Sequence, residues 1–272
     1  SFNTDGFSTG NNQFNTICGG TDYVAWQWKA GAGSTSTNSD GDINSTVQVN
    51  TTAGFSIVTY NPSNTTTRNI GHGLGVKPDF IIIRNRTRAE SWRVWFSTIG
   101  QGAIMLNSNG TYTVNSNLVN SVTTSTFNVG GDFSVNGNYP YVAYCFNEVQ
   151  GYSKFGSYVG NANSTNGPFT NTGFKPAFVM IKNKDATADW AMFDNKRNPH
   201  NVANLKVSAN EAHAENDLTG FGATENNIDM LSNGFKCRTD DTATNANAET
   251  FVYMAFAENP FVTSTGIPTT AR

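Results

Sequence analysis

The chain has 272 residues, enough for one large or two modest domains, each with its own core. Charged residues make up only 14%, net charge is −3 and pI is near 5.6, so there is no basic footprint for nucleic acid. No apolar run approaches the ~18 residues of a membrane helix, and Asn, Ser, Thr and Gly fill the polar positions, which suits turn-rich β structure better than helices.

The opening, SFNTDGFSTG, has neither the basic region nor the apolar core of a secretory signal. A Ser at position 1 points to a processed product or a fragment. Residues 1–30 read as a closing hairpin whose strand, YVAWQW, begins at Tyr23. It matches YVAYCF at 141–146, and Phe7 precedes it much as Phe127 precedes the later strand, so this hairpin is a partial third module. Leaving Tyr23, Val24, Trp26 and Trp28 in water would cost about 1.5–3 kcal/mol for each large apolar side chain. The hairpin is therefore expected to be buried, by completing a sheet in its own chain or in a neighbouring subunit. Residues 31–53 are small and polar and read as a linker.

Two full copies of one module follow, at 54–150 and 151–262, ahead of a tail at 263–272. GVKPDFIIIRNR (75–86) returns as GFKPAFVMIKNK (173–184), an offset of 98. Trp92 precedes Trp190 by the same 98, Phe127 precedes Phe235 by 108, and YVAYCF precedes FVYMAF (251–256) by 110. Small loop insertions make an offset drift in this way. The apolar runs FIIIRNR and FVMIKNK, each after Lys-Pro, predict central strands buried on both faces. SWRVWF and TSTFNV alternate like half-buried strands, and the one stretch with helical character is 203–217. The predicted architecture is all-β: two tandem antiparallel β-sandwich-like repeats with a shared interface, plus the leading hairpin. Pro78 should superpose on Pro176, Trp92 on Trp190 and Phe127 on Phe235.

Chemistry is sparse. Cys18, Cys145 and Cys237 are odd in number and far apart, as buried free thiols would be, without zinc or disulfide spacing. Glu148 and Glu258 occupy equivalent places just beyond the closing strands, where the leading hairpin has Ala30. Duplication suits pairing with a Lys or Arg at the sheet end better than catalysis. Asp79 has Ala177 as its counterpart and lies outside the module's plan. His72, between glycines, suits a turn held by a local backbone partner, with sugar contact or an interface as the functional alternative. No two histidines have zinc-ligand spacing, and Asp40 and Asp42 read as an Asp-Gly turn without a calcium loop. No catalytic residue, metal or cofactor is therefore assigned. Among the tryptophans, Trp92 and Trp190 read as core. The candidate surface or interface residues are Tyr23, Trp26, Trp28, His72 and Trp95, the last on the opposite strand face from Trp92.

These phrases, GHGLGVKPDFIIIRNR, YVAYCF, GYSKFGSYVGN, GPFTNTGFKPAFVMIK and YMAFAENPF, resemble a repeated module of bacteriophage virion proteins, familiar in cyanophages and other marine tailed phages. The resemblance covers roughly residues 1–262. It implies a non-enzymatic part of the extracellular virion, a tail fibre, appendage or capsid decoration, acting in assembly and host-surface adhesion. It also implies partners: other copies of the chain, by analogy with threefold symmetry, other virion proteins and a host surface glycan, with no nucleic acid and no membrane. A carbohydrate-binding lectin-like module or a polysaccharide depolymerase is the competing class.

Overall fold

The computed structural model describes residues 7, 23–31, 33–212, 215 and 228–257. Every regular element among them is a strand. Copy 1 and the stretch before it carry β1 (Ser36–Asn38), β2 (Ser45–Asn50), β3 (Phe55–Tyr60), β4 (Arg68–Gly71), β5 (Phe80–Asn85), β6 (Arg93–Phe96), β7 (Ile104–Met105), β8 (Val119–Val122), β9 (Thr126–Val129) and β10 (Tyr141–Phe146). Copy 2 carries β11 (Ser153–Val159), β12 (Phe169–Asn171), β13 (Pro176–Asn183), β14 (Ala191–Asp194), β15 (Ile228–Leu231), β16 (Gly234–Cys237) and β17 (Thr250–Ala257).

The repeat in the sequence is a repeat in topology. Copy 1 places β3-β10-β5-β6 in its large sheet, and copy 2 places β11-β17-β13-β14 in the same order. Each large sheet is faced by a small one, β4-β9-β8 or β12-β16-β15, and all ladders between named strands are antiparallel. The predicted all-β, sandwich-like architecture is therefore observed. The apolar runs after Lys-Pro became β5 and β13, whose two faces are both covered, one in the sandwich core (Ile81, Ile83; Val179, Ile181) and the other against the opposite copy (Phe80; Phe178, Met180), as continuous hydrophobicity requires.

Within each sandwich the same residues do the same work. Tyr60 stacks on Tyr141 at 5.2 Å and meets Phe127 edge-on, while Tyr158 stacks on Phe251 at 5.1 Å and meets Phe235 edge-on. Their hydroxyls donate to Val135 O (2.7 Å) and Thr244 O (2.6 Å). Asn85 Oδ1 accepts from the amides of Thr87 and Arg88, and Asn183 Oδ1 from those of Asp185 and Ala186. Each amide then donates across its module, to Phe133 O or Thr242 O. The "RN" and "KN" of the duplicated phrase thus pin one turn in each copy. Volume is exchanged across one strand pair: Val58 faces Ala143 in copy 1, and Gly156 faces the larger Tyr253 in copy 2. A Cβ on Gly156 would lie 2.9 Å from the Tyr253 hydroxyl.

Four sequence expectations are corrected. The polar stretch 31–53 is no simple linker, because β1 and β2 extend copy 1's large sheet to seven strands. STVQVN alternates, and Val47 is drawn into the core. Residues 203–212 form no helix; Ala203 and Val207 make isolated bridges to Ile228 and Met192, and most of 213–227 lies outside the described residues. The leading segment 23–30 pairs with no strand among the described residues. Its side chains at 26, 28 and 30 nonetheless point inward alternately, so packing rather than a hydrogen-bond ladder holds it. Trp92 and Trp190 are equivalent in sequence but not in burial, since Trp190 is fully buried and Trp92 is not. Pro78 with Pro176 and Phe127 with Phe235 are buried in both copies.

Candidate functional site at the seam between the copies

One face of each large sheet packs on its own small sheet; the other faces meet. Phe55, Phe80 and Phe146 of copy 1 pack with Phe155, Phe178 and Phe256 of copy 2 in a single cluster. Phe80 stacks on Phe155 at 5.6 Å, and Phe146 meets Phe256 edge-on at 6.0 Å. Phe80 and Phe178 are the same residue of the duplicated phrase, as are Phe146 and Phe256 of the closing strands. The repeated phenylalanines therefore build the join between modules. Aromatic contacts of this kind add about 0.5–1.5 kcal/mol each beyond their buried area.

The leading segment lies across this seam. Trp28 touches Phe146, Phe178 and Phe256 at 5.3–6.2 Å, and Trp26 touches Phe178 at 5.2 Å with the Arg197 guanidinium over its ring at 5.9 Å. The two tryptophans help enclose a cavity of about 400 Å³. Ile57, Ile82, Tyr144 and Trp92 line one wall, and Met180, Met192 and Met254 the other. Its volume falls within the range of small-molecule sites. Among the described residues of the lining, Tyr144 brings the one ionisable group, with no carboxylate, imidazole or thiol. The chemistry of this lining, among the described residues, suits an apolar group and supplies no acid–base pair.

Beside it sits a residue that sequence reasoning passed over. Lys182 is fully buried, and its Nζ donates to Asn109 O (3.1 Å), Asn183 O (2.8 Å) and Ala188 O (2.9 Å). Burial pushes its pKa down from 10.5 to about 8, against a weaker pull from Asp189. Its copy-1 counterpart, Arg84, lies over the Trp92 ring at 5.4 Å. The signal was the IRN/IKN pairing, but nothing local marks one of the two basic residues for the interior. The Trp190 indole crosses the seam as well, donating to Met105 O at 2.9 Å.

The remaining candidates are dispersed. Tyr23 is 51% exposed and belongs to no cluster. Trp95, expected at the surface, is buried in copy 1's sandwich and donates to Gly100 O at 2.5 Å; β6 is an interior strand covered on both faces. His72 is buried, accepting from Leu74 N at 3.2 Å through Nδ1 and placing Nε2 3.3 Å from Thr123 O. Burial lowers its pKa below 6.5, partly offset by the Thr123 carbonyl. This is the turn histidine with backbone partners. Glu148 pairs with Lys154 at 2.7 Å, and Glu258 lies outside the described residues. Asp79 Oδ2 accepts from Glu148 N at 2.8 Å. Asp42 accepts from Asn69 N, and no group of three His, Cys, Asp or Glu side chains among the described residues is placed to hold a metal. Cys145 and Cys237 are buried free thiols, and burial pushes Cys237 up to about 12; Cys18 lies outside the described residues. A shallow polar depression of about 220 Å³ at one end of the seven-stranded sheet is lined by Asn44, Thr46, Thr59, Asn61 and Arg86.

Fold and seam together define a duplicated all-β body joined through an aromatic interface. Residues 1–260 match the family described as Domain of unknown function (DUF7483), and the chain belongs to that family. No curated protein and no solved structure matches it. The matched range takes in the leading segment, copy 1 and nearly all of copy 2, the same stretches that meet at the seam.

Proposed function

We propose that the chain is a non-enzymatic structural protein of a bacteriophage virion, working in assembly and in adhesion to the host surface. One observation carries the reading: the buried polar side chains that recur in the two copies spend their hydrogen bonds on the module's own loops. Asn85 and Asn183, Tyr60 and Tyr158, and Asn136 and Asn245 each donate to backbone carbonyls of their own copy. A duplicated, internally pinned body with an Asn-, Ser- and Thr-rich surface suits a load-carrying extracellular part. The resemblance of its repeated phrases to phage virion modules supports the same role. The test is antibody labelling of purified particles that encode the chain. Labelling at a tail, fibre or capsid vertex is expected; particles free of the chain would overturn the proposal. So would turnover of a host polysaccharide that Glu148→Gln abolishes.

The polar depression favours a second reading, carbohydrate binding. Arg86 is exposed there and makes no side-chain hydrogen bond or ion pair among the described residues, beside two Asn amides and two Thr hydroxyls. Retention on host-surface glycan that Arg86→Ala removes is the expected result of this reading, and equal retention of both proteins discards it.

A further inference from the structure

The copies differ at one sheet edge. In copy 1 the outer side of β3 is occupied by β2, from Thr46↔Thr59 to Asn50↔Phe55, and β2 is covered by β1. The counterpart of β3 is β11, which among the described residues ends its sheet and pairs with β17 alone. Sequence explains the difference. β2 comes from the stretch ahead of copy 1, whereas only residues 147–152 separate β10 from β11, too few for a flanking strand.

Backbone hydrogen bonds show which groups are left over. Ala257 N donates to Tyr152 O at 2.8 Å, whereas Ser153 N turns the other way, to Val149 O at 2.9 Å. Successive residues of an antiparallel strand direct their N–H and C=O to opposite sides. Lys154, Gly156 and Tyr158 therefore bond β17, and Phe155, Ser157 and Val159 present theirs to the open edge. None of those three has a backbone partner there among the described residues. Edges of this kind are normally blunted by charge, Pro or a bulge. Here the only charge on the strand is Lys154, held by Glu148, and Val159 is 57% exposed.

We propose that β11 docks against β11 of a second copy, antiparallel, about a twofold axis at Ser157. The outward residues Phe155, Ser157 and Val159 are spaced symmetrically about that point, so every unpaired N–H and C=O finds a partner. No charge lies between Phe155 and Val159 to repel its image. Copy 1 supplies the internal precedent, because at the same place in its sheet an antiparallel strand is seated. The contact is isologous and closes as a dimer, in place of the threefold closure that analogy implies. It stands independently of the virion reading, since it rests on the edge alone.

Sedimentation equilibrium over a wide concentration range tests it with three variants. The wild-type protein is expected to dimerise. Ser157→Pro removes an N–H that faces solvent in the monomer, so it should shift the protein to monomer with little change in unfolding midpoint. Val159→Lys should weaken dimerisation at least tenfold. Ser157→Cys, in a Cys18→Ser background, should form a disulfide-linked dimer in air. Residues facing each other as a hydrogen-bonded pair have Cα atoms about 5.5 Å apart, within disulfide reach. If Ser157→Pro lowers the midpoint, Val159→Lys and the cross-link decide. A wild-type protein that stays monomeric overturns the proposal, as does an oligomer indifferent to Val159→Lys that gives no cross-link.

Discussion

Copy 1 and copy 2 share their loop pins, their sandwich cores and the seam phenylalanines Phe80/Phe178 and Phe146/Phe256, but differ at other places where a copy meets something outside itself. Asn85 and Asn183 hold the same turn, and Tyr60 and Tyr158 reach across the same gap to the opposite loop. Copy 1 is flanked by two added strands; copy 2, among the described residues, is not. Arg84 lies over Trp92, which keeps some exposure, whereas Lys182 and Trp190 are sealed in by residues of copy 1. His72 follows β4, and Thr172 holds the matching place after β12. The comparison separates two kinds of residue. Those that close the module, and the phenylalanines at the centre of the seam, are kept in kind; the residues around them that fit a copy to its own surroundings have diverged.

The strongest test of that division is the tryptophan pair. Trp190→Ala empties a fully buried site and orphans Met105 O, and should cost about 3–5 kcal/mol in urea unfolding. Trp92→Ala should cost on the order of 1 kcal/mol. Equal losses would mean that the two copies do not differ at the seam.

Asn85→Ala and Asn183→Ala should behave alike, each losing about 1–3 kcal/mol because turn amides and a cross-module carbonyl lose their partner. A large inequality between them would show that only one turn depends on its pin.

Lys182 gives the comparison a pH signature. Its folded pKa of about 8 lies below its ordinary 10.5, so above pH 8 the unfolded chain binds more protons and stability rises with pH. Burial raises Cys145 and Cys237 above 9 and Tyr60 and Tyr158 above 10, which lowers stability as pH climbs past those values, so the lysine is read between pH 8 and 9. Lys182→Met should remove the rise, and Arg84→Met should leave it intact.

The smallest effect is expected at His72. Its folded pKa lies below 6.5, so the unfolded chain takes up the proton first and stability declines as pH falls through 6.5. His72→Thr, which installs copy 2's residue, should flatten that decline in urea titrations from pH 7 towards 5. An unchanged slope would place the acid sensitivity elsewhere.

The sequence by itself determined the module: its main strands, their recurrence in two copies and the paired Phe127 and Phe235. These follow from local pattern, since alternation and Lys-Pro punctuation are written within a few residues of where they act. It also marked Glu148 as a structural ion-pair partner. Only the tertiary structure decided which sheet face became the seam, because a strand buried on both sides looks the same whichever side meets a second module. The same ambiguity misplaced Trp95 at the surface and left Lys182 unnoticed. It also made a strand of residues 23–28, a segment whose tryptophans are held by side-chain packing across both copies. Edge and interior strands likewise share one sequence pattern. What separates β3 from β11 is whether another piece of chain arrives to pair with it, and that is settled by connectivity in space.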